Sequence, residues 1–247
     1  MASAQQPQPD PIIEAACQAA ITFTKSLPDY IVKQTTARYR GVRKTTLISV
    51  DTVQIWRKRD VVTADVVAQL GTESFKNIRV NGSPSKDVEK SGQWSAGEFS
   101  STLKALVSPE NAAVFAKGRQ TTLLHRPAWR YDFTIDQAHS TWHLSAGGRT
   151  YAPAYGGQIW IDKDTSRVLR IEMTAHDVPS FIPLDSVEWT INYDFIKIGD
   201  ASYLLPTHSE ALDCERDKDS CFKNVTEFED YKKFSADTSI SFDDPPK

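Results

Sequence analysis

The side chains able to do acid, base or metal chemistry are few in this sequence of 247 residues, and their spacing works against most of it. His139 and His143 stand four apart, which on a helix would let two imidazoles meet one metal ion. Residues 140–145 read as a strand, however, where positions four apart share a face but lie roughly 13 Å from each other. Solvent-facing rings are therefore the expectation for His139 and His143; His125, His176 and His208 complete the five histidines. Asp162 and Asp164 could act as an acid pair. In Asp162-Lys163-Asp164-Thr165-Ser166 they sit instead where carboxylates cap the backbone N–H groups of a hairpin turn. Asp213, Glu215, Asp217 and Asp219 are interrupted by Arg216 and Lys218 and lack the glycine and closing glutamate of a calcium loop, which leaves a solvated hairpin tip. No Gly-x-Ser-x-Gly elbow, phosphate-binding Walker loop, dinucleotide fingerprint or His-Glu-x-x-His occurs. The expectation is a protein that is not an enzyme and has no catalytic residue, metal or cofactor.

Two other groups point to binding. Arg38, Arg40, Arg43 and Lys44, followed by Arg57-Lys58-Arg59, could meet phosphate or anionic lipid headgroups. Lys and Arg also protect strand ends and edges, and that plainer reading is preferred. The tryptophans at 56, 94, 129, 142, 160 and 189 fall mostly on strand-like segments, together with Tyr131, Phe133, Tyr193 and Phe195. Bulky aromatics of this kind pack a core beneath a helix, but a cleft lined with them would also suit acyl chains, quinones or an apolar peptide. The lining expected for such a cleft is Trp129, Tyr131 and Phe133 with Phe99 and Leu103 from a covering helix, and Trp189 beside them.

Composition narrows the class of partner. Hydrophobic residues make up 40%, charged residues 25%, and the formal charge is -3, so nothing favours a nucleic acid. Every apolar run is broken by a charge well before the roughly 18 residues that a membrane-spanning helix needs. Residues 1–10 lack a basic and an apolar signal region and read like the start of a mature chain, cut after small residues, so an exported, periplasmic or secreted protein is expected. The cysteines agree: Cys214 and Cys221 bracket six polar residues whose ends can meet in a hairpin, making a disulfide easy, while Cys17 is left over.

These residues need elements to position them. Asp10-Pro11 gives an N-cap followed by proline at the first helical position, and Ile12, Ile13, Ala16, Cys17 and Ala20 recur at helical spacing up to about Ser26. From Tyr30 the period changes to two. Strands are expected over residues 31–40, 47–59, 61–70, 73–80, 120–126, 129–135, 140–145, 158–162, 167–175, 186–198, 203–212 and 222–234, mostly joined by short polar or glycine-containing turns. In the strand at 186–198, Val187, Trp189, Ile191, Tyr193 and Phe195 share the inward face. Gly147-Gly148 and Gly156-Gly157 look like turn glycines. A helical interlude stands mid-chain, with Phe99, Leu103, Leu106 and Val107 on one side of residues 96–107. A second short helix over 109–117 carries Ala112, Ala113 and Phe115 and is ended by Gly118.

The segment Gly157-Gln158-Ile159-Trp160-Ile161-Asp162-Lys163-Asp164-Thr165-Ser166-Arg167-Val168-Leu169-Arg170 resembles the hairpin W-x-D-x-x-T-x-x-(V/P)-L-R of periplasmic lipoprotein-carrier proteins of the LolA/LolB type. The order of elements over residues 12–234 is similar too. The resemblance implies an unclosed antiparallel half barrel whose concave face holds acyl chains. The chain departs from the carriers in its extra length, its cysteine pair and the lack of a matching mid-chain arginine. The fold and an apolar cleft carry over, and lipoprotein trafficking does not. Pro153 to Lys163 also resembles a pattern in exported bacterial proteins, a likeness that names no function.

The expectation is thus an α+β, β-dominated chain: a curled antiparallel sheet, or open half barrel, with two or three helices covering the concave face. Residues 1–10 form a disordered segment left after signal cleavage, 11–236 a single half-barrel domain and 237–247 a loose tail. Its function is to bind or carry an apolar ligand such as a lipid or acyl chain. Sensing another envelope protein, or hydrolysis at an unrecognised site, are the alternatives.

Overall fold

The computed structural model describes residues 10–46, 49–69, 72–86, 101–108 and 111–234. Helix α1, Pro11–Ser26, begins as the sequence predicts: the Asp10 carboxylate accepts from the Ile12 N–H at 2.9 Å with Pro11 in the first turn. A cap of this kind stabilises a helix by about 1 kcal/mol. The other Asp10 oxygen accepts from the Tyr131 hydroxyl at 2.9 Å, which fixes the helix entry to the sheet. Ala16, Ala20 and Phe23 are buried on the face that α1 turns inward, with Ile12, Ile13 and Cys17 packed beside them.

Strands β1 (Tyr30–Thr46), β2 (Ser49–Gln54), β3 (Arg57–Gln69), β4 (Thr72–Val80) and β5 (Ser83–Pro84) precede helix α2, Ser101–Val107. After it come β6 (Val114–Phe115), β7 (Arg119–Leu123), β8 (Arg126–Ile135), a 3-10 turn at Gln137–His139, β9 (Leu144–Ala146) and β10 (Arg149–Tyr151). The long meander closes the chain with β11 (Ala154–Asp162), β12 (Val168–His176), β13 (Leu184–Ile198), β14 (Ala201–Glu215) and β15 (Ser220–Lys233).

One antiparallel sheet takes all of these strands except the separate β9–β10 hairpin, in the order β5-β4-β3-β1-β15-β14-β13-β12-β11-β8-β6, with β2 beside β1 and β7 beside β8. Its two ends, β5 and β6, do not pair, so the sheet stays open, as a half barrel requires. Leu103, Leu106 and Val107 of α2 are buried in the same core as the α1 face and as Val32, Val66, Tyr131, Ile159, Ile171 and Ile191 of the sheet, so both helices cover one sheet face.

Several local expectations are corrected. The helix expected over 109–117 does not run its length: Asn111 is in a 3-10 conformation, Ala112 takes a φ of 46°, and Val114 and Phe115 pair with Thr134 and Phe133 as β6. Pairing with an unpaired sheet edge outweighs the weak helical pattern there. Gly118 ends no helix; a Cβ on it would overlap the Tyr131 ring. Residues 140–145 are not a strand throughout, because Asp136 caps the 3-10 turn and only Leu144 onward pairs. The division between 47–59 and 61–70 is misplaced, since β3 runs unbroken from Arg57 to Gln69. Gly147 and Gly148 do form a turn, with φ of 59° and 73°. Gly156 and Gly157 instead lie inside β11, where a Cβ on Gly157 would run into the backbone of Glu172. The expected helical residues 96–100, Phe99 among them, lie outside the described residues.

Candidate functional site

The register of the sheet sets inward side chains in rows that cross it from strand to strand. One row runs Thr36, Thr226, Ser209, Ile191, Ile171, Ile159, Tyr131. The next runs Asp60, Arg38, Asn224, Ala211, Trp189, Met173, Gly157, Phe133. A third, closer to the β14–β15 turn, holds Phe222, Asp213 and Val187. The first row is filled at its β8–β13 end by large apolar groups. The second and third rows place small or polar groups at Ala211, Asp213 and Asn224, and there the core opens.

The opening is a cavity of about 1140 Å³. Its floor is Met173, Val187, Trp189, Ala211, Asp213, Phe222 and Asn224; its roof is Thr102, Lys104, Ala105 and Ser108 of α2. Its side wall is the segment from Thr141 to Gly147 with Tyr155. Trp142 stacks on Trp189 with ring centroids 6.4 Å apart and meets Tyr155 edge-on at 5.5 Å. Asn111, almost wholly buried, ties roof to wall by donating to the Ala105 carbonyl and, at 3.3 Å, to the Thr141 hydroxyl. Burial pushes the Tyr155 phenol up to about 12, against a lowering hydrogen bond with Thr141, so the ring stays neutral. At the rim, the Arg216 guanidinium donates to the carbonyls of Val178 and Leu184 at 2.7 and 2.8 Å and holds the loop that carries Pro183 in place.

The polar groups inside are unusual. Asp213 is 7% exposed, and among the described residues its carboxylate has neither a hydrogen-bond donor nor a cation as partner. Burial, with the negative charge of Glu215 adding to it, pushes its carboxyl up to about 7. Trp189 is 7% exposed and its indole N–H has no acceptor. Unpaired buried atoms also occur outside the cavity, at Gln34, Ser140, Arg167 and Arg170, so what sets Asp213 and Trp189 apart is that both face the same open space.

Of the residues the sequence proposes for a cleft, Trp189 lines this cavity. Leu103 is buried behind the α2 residues that form its roof. Tyr131 and Phe133 are buried in the main core, and Trp129 packs at its margin under the Lys163 ammonium, 4.7 Å from the ring centroid. These three do not touch the cavity. Sequence reading missed Tyr155, Met173, Ala211 and Asp213. The available signal was the run of small and polar residues at inward positions of β14 and β15, Ser209, Ala211, Asp213, Asn224 and Thr226, beside β13, whose inward positions are apolar.

The other chemical candidates are structural. One Asp162 oxygen accepts from the Asp164 and Thr165 N–H groups at 3.1 and 2.8 Å and from the Thr165 hydroxyl at 2.8 Å; the other accepts from Arg126 at 2.6 Å. Burial opposes its charge, but the hydrogen bonds from Arg126 and Thr165 outweigh it and hold the carboxyl below its ordinary value. Arg38 is buried and bound to Asp60 at 2.5 and 2.7 Å, and Arg40 donates to Ser220 at 2.9 Å, so these two arginines of the basic cluster link neighbouring strands. His139 bonds Asp136 and His208 bonds Glu227, each at 2.7 Å, and no group of three metal-ligating side chains forms among the described residues. Cys214 and Cys221 are cross-strand partners joined by a disulfide, and Cys17 is a thiol on α1 whose ionisation burial disfavours. No helix of the described residues is long and apolar enough to cross a membrane.

No family model matches the sequence, and no curated protein matches it. The solved structures to which the chain is similar include the following three. A LolA-superfamily protein from Nitrosomonas europaea is 10% identical over 91% of this chain and 93% of its own, with a TM-score of 0.36. A DUF1329-family protein from Desulfovibrio piger is 9% identical over 94% and 97%, with a TM-score of 0.40. MucB, solved in complex with MucA(peri), is 11% identical over 89% and 93%, with a TM-score of 0.24. The cavity is therefore read from its own residues.

Proposed function

We propose that the half-barrel domain over residues 11–236 is a non-enzymatic binding or carrier module that holds an apolar ligand, a lipid or other long hydrocarbon, in the cavity beneath α2. The supporting observation is the cavity itself. At about 1140 Å³ it slightly exceeds the roughly 300–1,000 Å³ typical of small-molecule sites, and Trp142, Tyr155, Met173, Val187 and Trp189 supply an apolar and aromatic lining. A chain burying about 300 Å² there gains some 7 kcal/mol before association costs, so affinity near the micromolar range needs a larger buried surface as well as a site that is already formed. The disulfide favours an oxidising compartment, periplasmic or secreted, for this work.

Titration with an alkyl probe bearing an uncharged, polarity-sensitive fluorophore tests the reading. Saturable binding at micromolar concentration is expected, and Ala211→Trp or Ala105→Trp, each placing an indole in the cavity, should weaken it at least tenfold. Absent binding at tens of micromolar, or binding indifferent to both substitutions, overturns it and turns attention to an envelope-protein partner.

A further inference from the structure

Resting on the binding-module reading, one side chain in the cavity selects among apolar ligands. Asp213 faces the space between Val187 and Phe222, one row nearer the β14–β15 turn than the Met173, Trp189 and Ala211 row. It is 7% exposed and has no hydrogen-bond donor or countercharge among the described residues. An ionised carboxylate in such a place is costly without a cation, and a cation brought by a ligand would supply what the protein omits.

The other charges nearby do not supply it. Glu215, on the same strand, is negative and is held by Lys218 at 2.8 Å. Arg40, across Phe222, donates to Ser220, and Arg38, across Asn224, is bound to Asp60. Lys104 and His143 are both exposed on the roof and wall and neither reaches Asp213. Val187 and Phe222 flank Asp213 across the sheet and Trp189 lies on the diagonal, an apolar and π surrounding that suits the methylenes and charge of an ammonium far better than a second anion.

We propose that the cavity takes an amphiphile with a protonated amine head, its ammonium donating to the Asp213 carboxylate and its hydrocarbon lying along Trp189, Met173 and Tyr155. The row geometry fits such a ligand: the charged end sits toward the turn at the sheet's rim, and the apolar end toward the core. A fatty acid, with its anionic head, would meet Asp213 and Glu215 as like charges.

Three probes with the same alkyl chain, dodecylammonium, dodecanol and dodecanoate, are compared at pH 8, each under its aggregation limit, by displacement of the uncharged fluorophore. The wild-type chain should bind dodecylammonium at least tenfold more tightly than dodecanol, and dodecanoate most weakly. Asp213→Asn should bring the ammonium and the alcohol to equal affinity. Equal binding of all three by the wild type, or preference for dodecanoate, overturns the amine assignment and leaves the apolar cavity standing. Binding of none of the three defeats the cavity reading itself. The head-group ranking of the wild type decides the matter even when the variant does not fold.

Discussion

At the scale of single residues, Asp213 has a second consequence, in stability. Folded, its carboxyl keeps a proton up to about pH 7; unfolded, it releases it near pH 4. Between those values the folded chain holds a proton that the unfolded chain does not, so this group makes stability fall as pH rises from about 4 to 7, with little change above. The contribution is at most about 4 kcal/mol. Asp213→Asn should therefore gain on the wild type across that window. Denaturant unfolding at pH 4.5 and pH 8 checks it: the difference between variant and wild type should move in the variant's favour by about 1.5 kcal/mol or more. A difference that is the same at both pH values would mean that the carboxyl titrates normally.

Legibility in the sequence was uneven at this scale for a physical reason. Trp189 was legible as an inward residue because period-two alternation on β13 fixes which face a residue takes, and the space it faces proves to be the cavity. Trp129, Tyr131 and Phe133 obey the same alternation, yet alternation states only inward or outward. It cannot say whether the inward space is filled, and for Tyr131 and Phe133 it is filled, by α1 and neighbouring rows. Asp213 read as part of a solvated acidic tip because its charge was weighed without its strand. On β14 it alternates inward with Ala211 and Ser209, and it lines the cavity together with Glu215 two residues on.

Among the elements, β11 and β12 carry the clearest sequence signature and a feature the sequence hid. The turn between them is held by Asp162, Thr165 and Arg126 as the residue types suggested, so the recognisable motif is scaffold. The glycines before it read as a turn because glycine is common in turns, whereas here they allow close approach of neighbouring strands. Gly157 lies opposite Glu172 and Met173 with no room for a Cβ. Gly157→Ala should thus force β11 and β12 apart and cost about 2 kcal/mol or more, read as a fall in the denaturation midpoint. A variant as stable as the wild type would show that the strands separate freely there. The segments most poorly foreseen, 109–117 and 140–145, are those whose structure depends on an edge or a cap supplied from elsewhere, which no local period reports.

For the molecule as a whole, the β-dominated, open antiparallel sheet with helices on one face was legible, since strand after strand was linked by short turns. The exit of β6 at one edge and the separate β9–β10 hairpin were not. The disulfide joins β14 to β15 at the cavity end of the sheet, next to Asp213 and Phe222. Its loop is short, so reduction should remove only about 2 kcal/mol and lower Tm by a few degrees without abolishing the fold. Thermal unfolding with and without reductant measures this, and alkylation of both thiols in untreated protein would contradict the bond.

The same sheet order sets a clock on manufacture. β1 lies between β3 and β15, so the strand nearest the beginning of the chain must wait for one of the last; the Thr36 and Thr226 hydroxyls that meet at 3.0 Å are 190 residues apart. At roughly 5–20 residues per second, about 10 to 40 s separate the synthesis of the two. Throughout that interval one side of β1 has no neighbour, and the floor of the cavity, which needs β12 to β15, does not exist. A nascent chain of this topology cannot settle early around a ligand. It stays threadable until its end is delivered, and the binding site is among the last parts of the molecule to come into being.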